Sequence, residues 1–226
     1  MYNNYRIRPV TYNIIKNENG VETAEYLLYN LKKRVMEEKM IDIENAYNEF
    51  NKYTSQYNLN DGRIKLKIEH IKRVAEKSKK IARNLKLDEE HIKLAELIGL
   101  FHDIGRFEEL KITKELNSVK FDHATHGSTM LFENGMIRNF IEDSQYDEII
   151  KKSIENHSRL VIEKGLNERE LLHSKIIRDA DKLDNYRVKK AEKIEATDKE
   201  IEEKIKEMAK NYGKENDKEF LNNENE

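Results

Sequence analysis

The chain has 226 residues, long enough for one domain with a sizeable core and a small appendage but short for two full domains. Its 42 basic and 44 acidic residues leave a net charge of -2, which excludes an overall positive field for gathering nucleic acid or an anionic membrane. With no cysteine, disulfides, thiolate metal sites and cysteine nucleophiles are excluded, so a metal here would need nitrogen and oxygen ligands.

Residues 1–45 read as a partly helical N-terminal extension: an extended segment from Tyr5 to Ile15, a turn at Asn17-Glu18-Asn19-Gly20, and a helix from Glu22 to about Met40 on the spacing of Leu27, Leu28, Leu31 and Val35. A further helix is expected from Ile43 to Tyr53, ended by the polar cluster Asn58 to Gly62. Five apolar stripes at helical period follow within residues 46–190. They comprise Ile64, Ile68, Ile71, Ala75 and Ser78; Leu94, Leu97, Ile98 and Phe101; Met130 and Leu131; Ile149, Ile150 and Ile154; and Ile176, Ile177 and Ala180. This pattern predicts an all-α helical bundle with charged outer faces, in which Asp88 caps the second stripe and Gly105 stops it. Residues 191–226 read as a charged amphipathic helix through Ile201, Ile205 and Met208, then a polar tail from about Asn211. No stretch approaches 18 apolar residues, and the start has no apolar run with a cleavage site, so a cytoplasmic protein without membrane spans is expected.

Each stripe carries or borders an imidazole or carboxylate, and burying such a group without a partner is costly. His70 borders the first, His102 with Asp103 ends the second, His123 lies in line with Met130 and Leu131, His157 follows Ile154, and Asp181 follows Ile177. Taken singly, His70, His123 or His157 reads as a core histidine with one hydrogen bond. The adjacent pair His102-Asp103 amid apolar residues does not read that way, and successive separations of 32, 20, 34 and 24 residues place the groups on different helices that meet only in the bundle interior. Several imidazoles and two carboxylates without sulfur suit iron, manganese or another divalent ion. His91 and His173 read as surface or structural, and Lys182 as a solvated ion-pair partner.

The order His70, then His102-Asp103 in FHDIGRF, then Asp181 in DADKLD resembles the HD superfamily of metal-dependent phosphohydrolases, over roughly residues 50–188. The resemblance implies an all-α HD domain in which His70, His102, Asp103 and Asp181 hold a metal and the substrate is a nucleotide or other small phosphoester. Some members of this superfamily hold two metals, and His123 and His157 resemble the positions of the added ligands, so one ion or two is expected, with Asp103 shared if there are two; the resemblance also implies a phosphate contact from Arg106. A surface arginine at a helix end is the competing reading of Arg106. His126 competes with His123, which is preferred because Gly127 leaves space beside its imidazole. His157 is followed by Ser158-Arg159, which departs from the cyclic-dinucleotide branch, and Ile104-Gly105-Arg106-Phe107 departs from the guanosine-tetraphosphate hydrolases. The expected activity is hydrolysis of a small phosphorylated substrate by metal-activated water, with Asp103 and Arg106 as the catalytic pair. The alternatives are a catalytically silent HD-type ligand-binding protein and a structural interaction module.

Overall fold

A computed structural model describes residues 41–191 together with Glu203 and residues 205–207. The expected segments Tyr5 to Ile15, Asn17 to Gly20 and Glu22 to Met40, and the tail from Asn211, lie outside the described residues. A division of the chain into compact units falls between Met40 and Ile41. Of the expected C-terminal helix, Glu203 and residues 205–207 are helical, and Ile205 is buried.

The described residues form helices and turns, with no strand among them. The longer helices are α1 (Ile43–Thr54), α2 (Gly62–Asn84), α3 (Glu89–Phe101), α4 (Arg106–Thr113), α5 (His123–Ser128), α6 (Ile137–Phe140), α7 (Asp147–His157) and α8 (Glu168–Ala191). Thr129–Glu133 continues α5 as a wider π-helical turn, so the pair Met130 and Leu131 sits on a π turn rather than on a regular α-helix. None of the described helices is long and apolar enough to cross a membrane.

Aspartate sets where the helices begin. Asp42, Asp61, Asp88 and Asp122 each occupy the N-cap and accept a backbone N–H from the first turn, satisfying donors that the helix itself leaves open. α8 starts with a capping box instead: Asn167 Oδ1 accepts from Glu170 N and Glu170 Oε2 accepts from Asn167 N, both at 3.0 Å.

The core forms where α2 packs on α3 and α8, and α7 packs on α8 and α5. α3 departs from the expected amphipathic pattern, because every residue from Leu94 to Phe101 is buried, including Glu96. Glu96 is compensated by Lys79 Nζ at 2.8 Å and by the Tyr47 hydroxyl at 3.4 Å. A helix buried on all sides sits at the centre of the bundle, and its C-terminal end delivers His102 and Asp103 into the interior. Gly99 permits the close crossing with α2, since a Cβ there would lie 2.5 Å from Ala75 Cα.

Gly105 does not stop α3, which already ends at Phe101. It is the N-cap of α4 with ordinary right-handed φ of -69°, and its smallness serves contact: a Cβ would lie 2.2 Å from the His123 carbonyl oxygen and 2.9 Å from Gly127 N. Gly127 in turn faces Ile104 and the backbone of Gly105, so the space it leaves is filled by that approach and not by the His123 ring. The two glycines press the turn after Asp103 against the start of α5.

His173 on α8 is buried, and neither of its ring nitrogens has a hydrogen-bond partner among the described residues. His91, only partly buried, stacks on it at 5.5 Å between ring centroids. Burial first, then the neighbouring His91 and Arg169, push the His173 pKa down to about 3. Between the unfolded value of 6.5 and about 3 the unfolded chain therefore binds one proton more than the folded one. Stability should fall as pH drops below 6.5, by up to about 1.4 kcal/mol per pH unit from this group. Urea unfolding of wild type and His173→Leu at pH 7 and pH 5 checks this, and parallel losses in the two proteins would contradict it.

Candidate metal centre

Five segments bring the site residues together. His70 lies mid-way along α2, His102 caps the C-terminus of α3 and Asp103 follows it, His123 opens α5, His157 closes α7, and Asp181 lies on α8. His70, His102, Asp103, His123 and His157 are buried, and Asp181 is partly so. They form two triads: His70, His102 and Asp181 offer ligand atoms all within 4.8 Å of one another, and so do Asp103, His123 and His157. His126, by contrast, rests against Phe121 at 4.9 Å and belongs to neither triad.

Asp103 lies between the two. Its Oδ2 is 3.6 Å from His70 Nε2 and 3.7 Å from His102 Nε2. Its Oδ1 is 3.2 Å from His123 Nε2 and 3.5 Å from His157 Nε2. Each carboxylate oxygen therefore serves one triad.

The donor set fits divalent cations by its tautomers. His102 Nδ1 contacts the Gly99 carbonyl at 2.8 Å and His157 Nδ1 contacts the Ile154 carbonyl at 2.6 Å. A carbonyl only accepts, so each Nδ1 carries the proton and each neutral ring turns the Nε2 lone pair into the cluster. These lone pairs face other imidazoles, His102 Nε2 at 3.3 Å from His70 Nε2 and His157 Nε2 at 3.1 Å from His123 Nε2. Converging lone pairs and carboxylates call for positive charge between them, as nitrogen and oxygen ligands of a divalent ion provide.

The electrostatics agree. Burial, above all, lowers the His102 pKa to about 4 and also lowers that of His123. Burial also works against the Asp103 carboxylate, but Lys67 and the surrounding imidazoles outweigh it and hold its pKa well below the ordinary value. His70 is the exception: burial opposes its imidazolium, yet hydrogen bonds to Asp181 and Asp184 and the charge of Asp103 raise its pKa.

A ring of charged residues absent from the sequence expectations surrounds the cluster. Asp184, fully buried, accepts from His70 Nδ1 at 2.8 Å, Arg73 Nε at 2.9 Å and Lys77 Nζ at 2.8 Å. This fixes the His70 tautomer with Nε2 toward Asp181 Oδ1 at 3.1 Å. Lys67 Nζ donates to Asp103 Oδ2 at 2.9 Å. The signal in the sequence was positional: Lys67, Arg73 and Lys77 fall three before, three after and seven after His70, all on its helix face, and Asp184 falls three after Asp181.

Arg106 is not a surface residue. It is the first residue of α4, with a side chain only 12% exposed, its Nη1 2.7 Å from Glu109 Oε2 and its Nε 3.4 Å from Asp103 Oδ1. The helix dipole does not favour a cation at a helix N-terminus, and the two carboxylates compensate the Arg106 charge instead. Lys182 is exposed.

Fold and cluster together define an all-α protein whose core presents imidazoles and carboxylates able to hold divalent cations. The chain matches the HD domain model over residues 68–186, more than half its length, and it belongs to the HD domain family, whose members are mostly metal-dependent hydrolases, though some are non-catalytic. No curated protein and no solved structure matches the chain.

Proposed function

We propose that this protein is a binuclear metal-dependent phosphohydrolase acting on a nucleotide or other small phosphoester. The observation that carries the reading is Asp103, whose two oxygens each face one triad of the centre. On this reading His70, His102 and Asp181 hold one ion, His123 and His157 the other, and Asp103 is shared; iron and manganese suit such ligands. Bound divalent ions supply an acidified water as nucleophile and neutralise the charge that develops on phosphate oxygens.

The chain's own charges support an anionic substrate. Around the cluster, Asp103, Asp181, Asp184 and Glu109 are offset by Lys67, Arg73, Lys77 and Arg106, four against four. An imidazole ligates a cation as the neutral ring, so the imidazoles would leave the charge of bound cations uncancelled for an anion such as phosphate. Arg106 adds a planar donor fork beside Asp103. A protein that keeps the metals but has lost turnover would share all of these ligands.

Two measurements test the reading. The purified protein, supplied with manganese or iron, should hydrolyse at least one member of a panel of nucleoside mono-, di- and triphosphates, dinucleotides and generic phosphoesters. Metal content should be near two per chain in wild type and in His126→Ala, and fall toward one in His123→Ala and in His157→Ala, with a sharp loss of activity. One ion in wild type and in all three variants would make the centre mononuclear. Two ions without turnover across the panel would favour the silent, ligand-binding alternative.

A further inference from the structure

Glu109 is a fully buried carboxylate that the metal centre does not use. It lies three residues after Arg106 on α4, and each of its oxygens has a separate partner. Oε2 accepts from Arg106 Nη1 at 2.7 Å, and Oε1 accepts from the backbone N–H of Ser118 at 2.8 Å. Ser118 belongs to the segment that leaves α4 through Lys114, in the left-handed region at φ 62°, and returns to Asp122, the cap that opens α5 at His123. Within this segment Phe121 N closes a turn on the Ser118 carbonyl at 3.1 Å. One carboxylate thus fixes both the Arg106 guanidinium and the chain that leads into His123.

The consequence for Arg106 is geometric. A guanidinium has two edges that can grip an anion through a pair of N–H groups, Nη1 with Nη2 and Nε with Nη2. Glu109 occupies Nη1 through a short, charge-assisted bond. Nε makes only a long 3.4 Å contact, to Asp103, which is itself a proposed metal ligand, and Nη2 has no hydrogen bond to any described residue. The Nε–Nη2 edge, beside Asp103, is the edge left for an anion. From this we infer that Glu109 is a positioning residue for phosphate binding: it anchors Nη1 and the Ser118 backbone so that Arg106 presents its Nε–Nη2 edge at the metal centre. The inference rests on the phosphohydrolase reading, and a purely structural Glu109 would change stability without changing anion affinity.

The test uses the full-length, metal-loaded protein with inorganic phosphate as the probe, measured by calorimetry. Arg106→Ala should weaken phosphate binding about tenfold, the scale of one charge-assisted hydrogen bond. Glu109→Gln, which keeps the shape but removes the charge, should weaken it by a similar factor with metal content unchanged. The double variant should be no weaker than Arg106→Ala alone, because Glu109 acts through that side chain. Wild-type affinity in Glu109→Gln beside a weakened Arg106→Ala would overturn the role of Glu109, and so would losses that multiply in the double variant. If Glu109→Gln does not fold, Glu109→Asp keeps the charge at shorter reach and is judged by the same comparison. A wild-type protein that holds its metals and binds no phosphate would instead overturn the phosphohydrolase reading itself.

Discussion

Replacing Asp103 by alanine is expected to remove both metal binding and activity, the largest effect of any single change in this protein. Each triad would lose its only contribution from Asp103, Oδ2 on the side of His70 and His102 and Oδ1 on the side of His123 and His157. The half with His123 and His157 would then keep two neutral imidazoles and no carboxylate, too little to hold a divalent ion firmly. Lys67 Nζ, 2.9 Å from Asp103 Oδ2 and mostly buried, would lose its partner and add an uncompensated positive charge that repels a cation. Metal analysis after dialysis should find none retained, and turnover should fall to background; full occupancy in this variant would refute the assignment of the centre.

The second large effect is expected at Asp184, which touches no proposed metal position. Asparagine there keeps the shape but offers one neutral acceptor to His70, Arg73 and Lys77 in place of a carboxylate. Loss of a hydrogen-bond partner behind a ligating imidazole typically lowers metal affinity about 10- to 100-fold. Leaving the buried Lys77 ammonium without its counter-charge should also lower folding stability by on the order of 3 kcal/mol. In the wild type, burial opposes the Asp184 carboxylate, but His70, Arg73 and Lys77 outweigh it and hold its pKa far below the ordinary value. That stabilisation is present above the unfolded value of 3.8 and is lost only as pH falls below it, so the asparagine variant should differ from wild type throughout the neutral range. Graded chelator challenge and urea unfolding measure the two effects, and a variant equal to wild type in metal retention would show that Asp184 is only an ion-pair partner.

The helices that carry apolar stripes were legible because their causes are local, whereas α4 and α6 were not among the expected helices. Aspartate caps at positions 42, 61, 88 and 122, and apolar residues at helical period, specify start points and buried faces within a few residues of sequence. The candidate ligands were legible because an imidazole or carboxylate on an apolar stripe is costly without a partner, and because HD and DADKLD carry a recognisable order. Other features follow from contacts between segments far apart in the chain. Periodicity finds apolar stripes and assigns charged residues to the outside, so it passes over Glu109, Asp184 and Lys77, which are buried because each meets an opposite charge. It reads Gly105 as a helix stop, whereas the structure uses its missing side chain to admit the backbone of α5. Residue order alone therefore determined an all-α HD domain and which side chains could serve as ligands. Tertiary packing decided that Asp103 lies between two triads, that His126 belongs to neither, and that Arg106 is held inside by Glu109, because side-chain direction and charge pairing are set by neighbours brought together only in the folded chain.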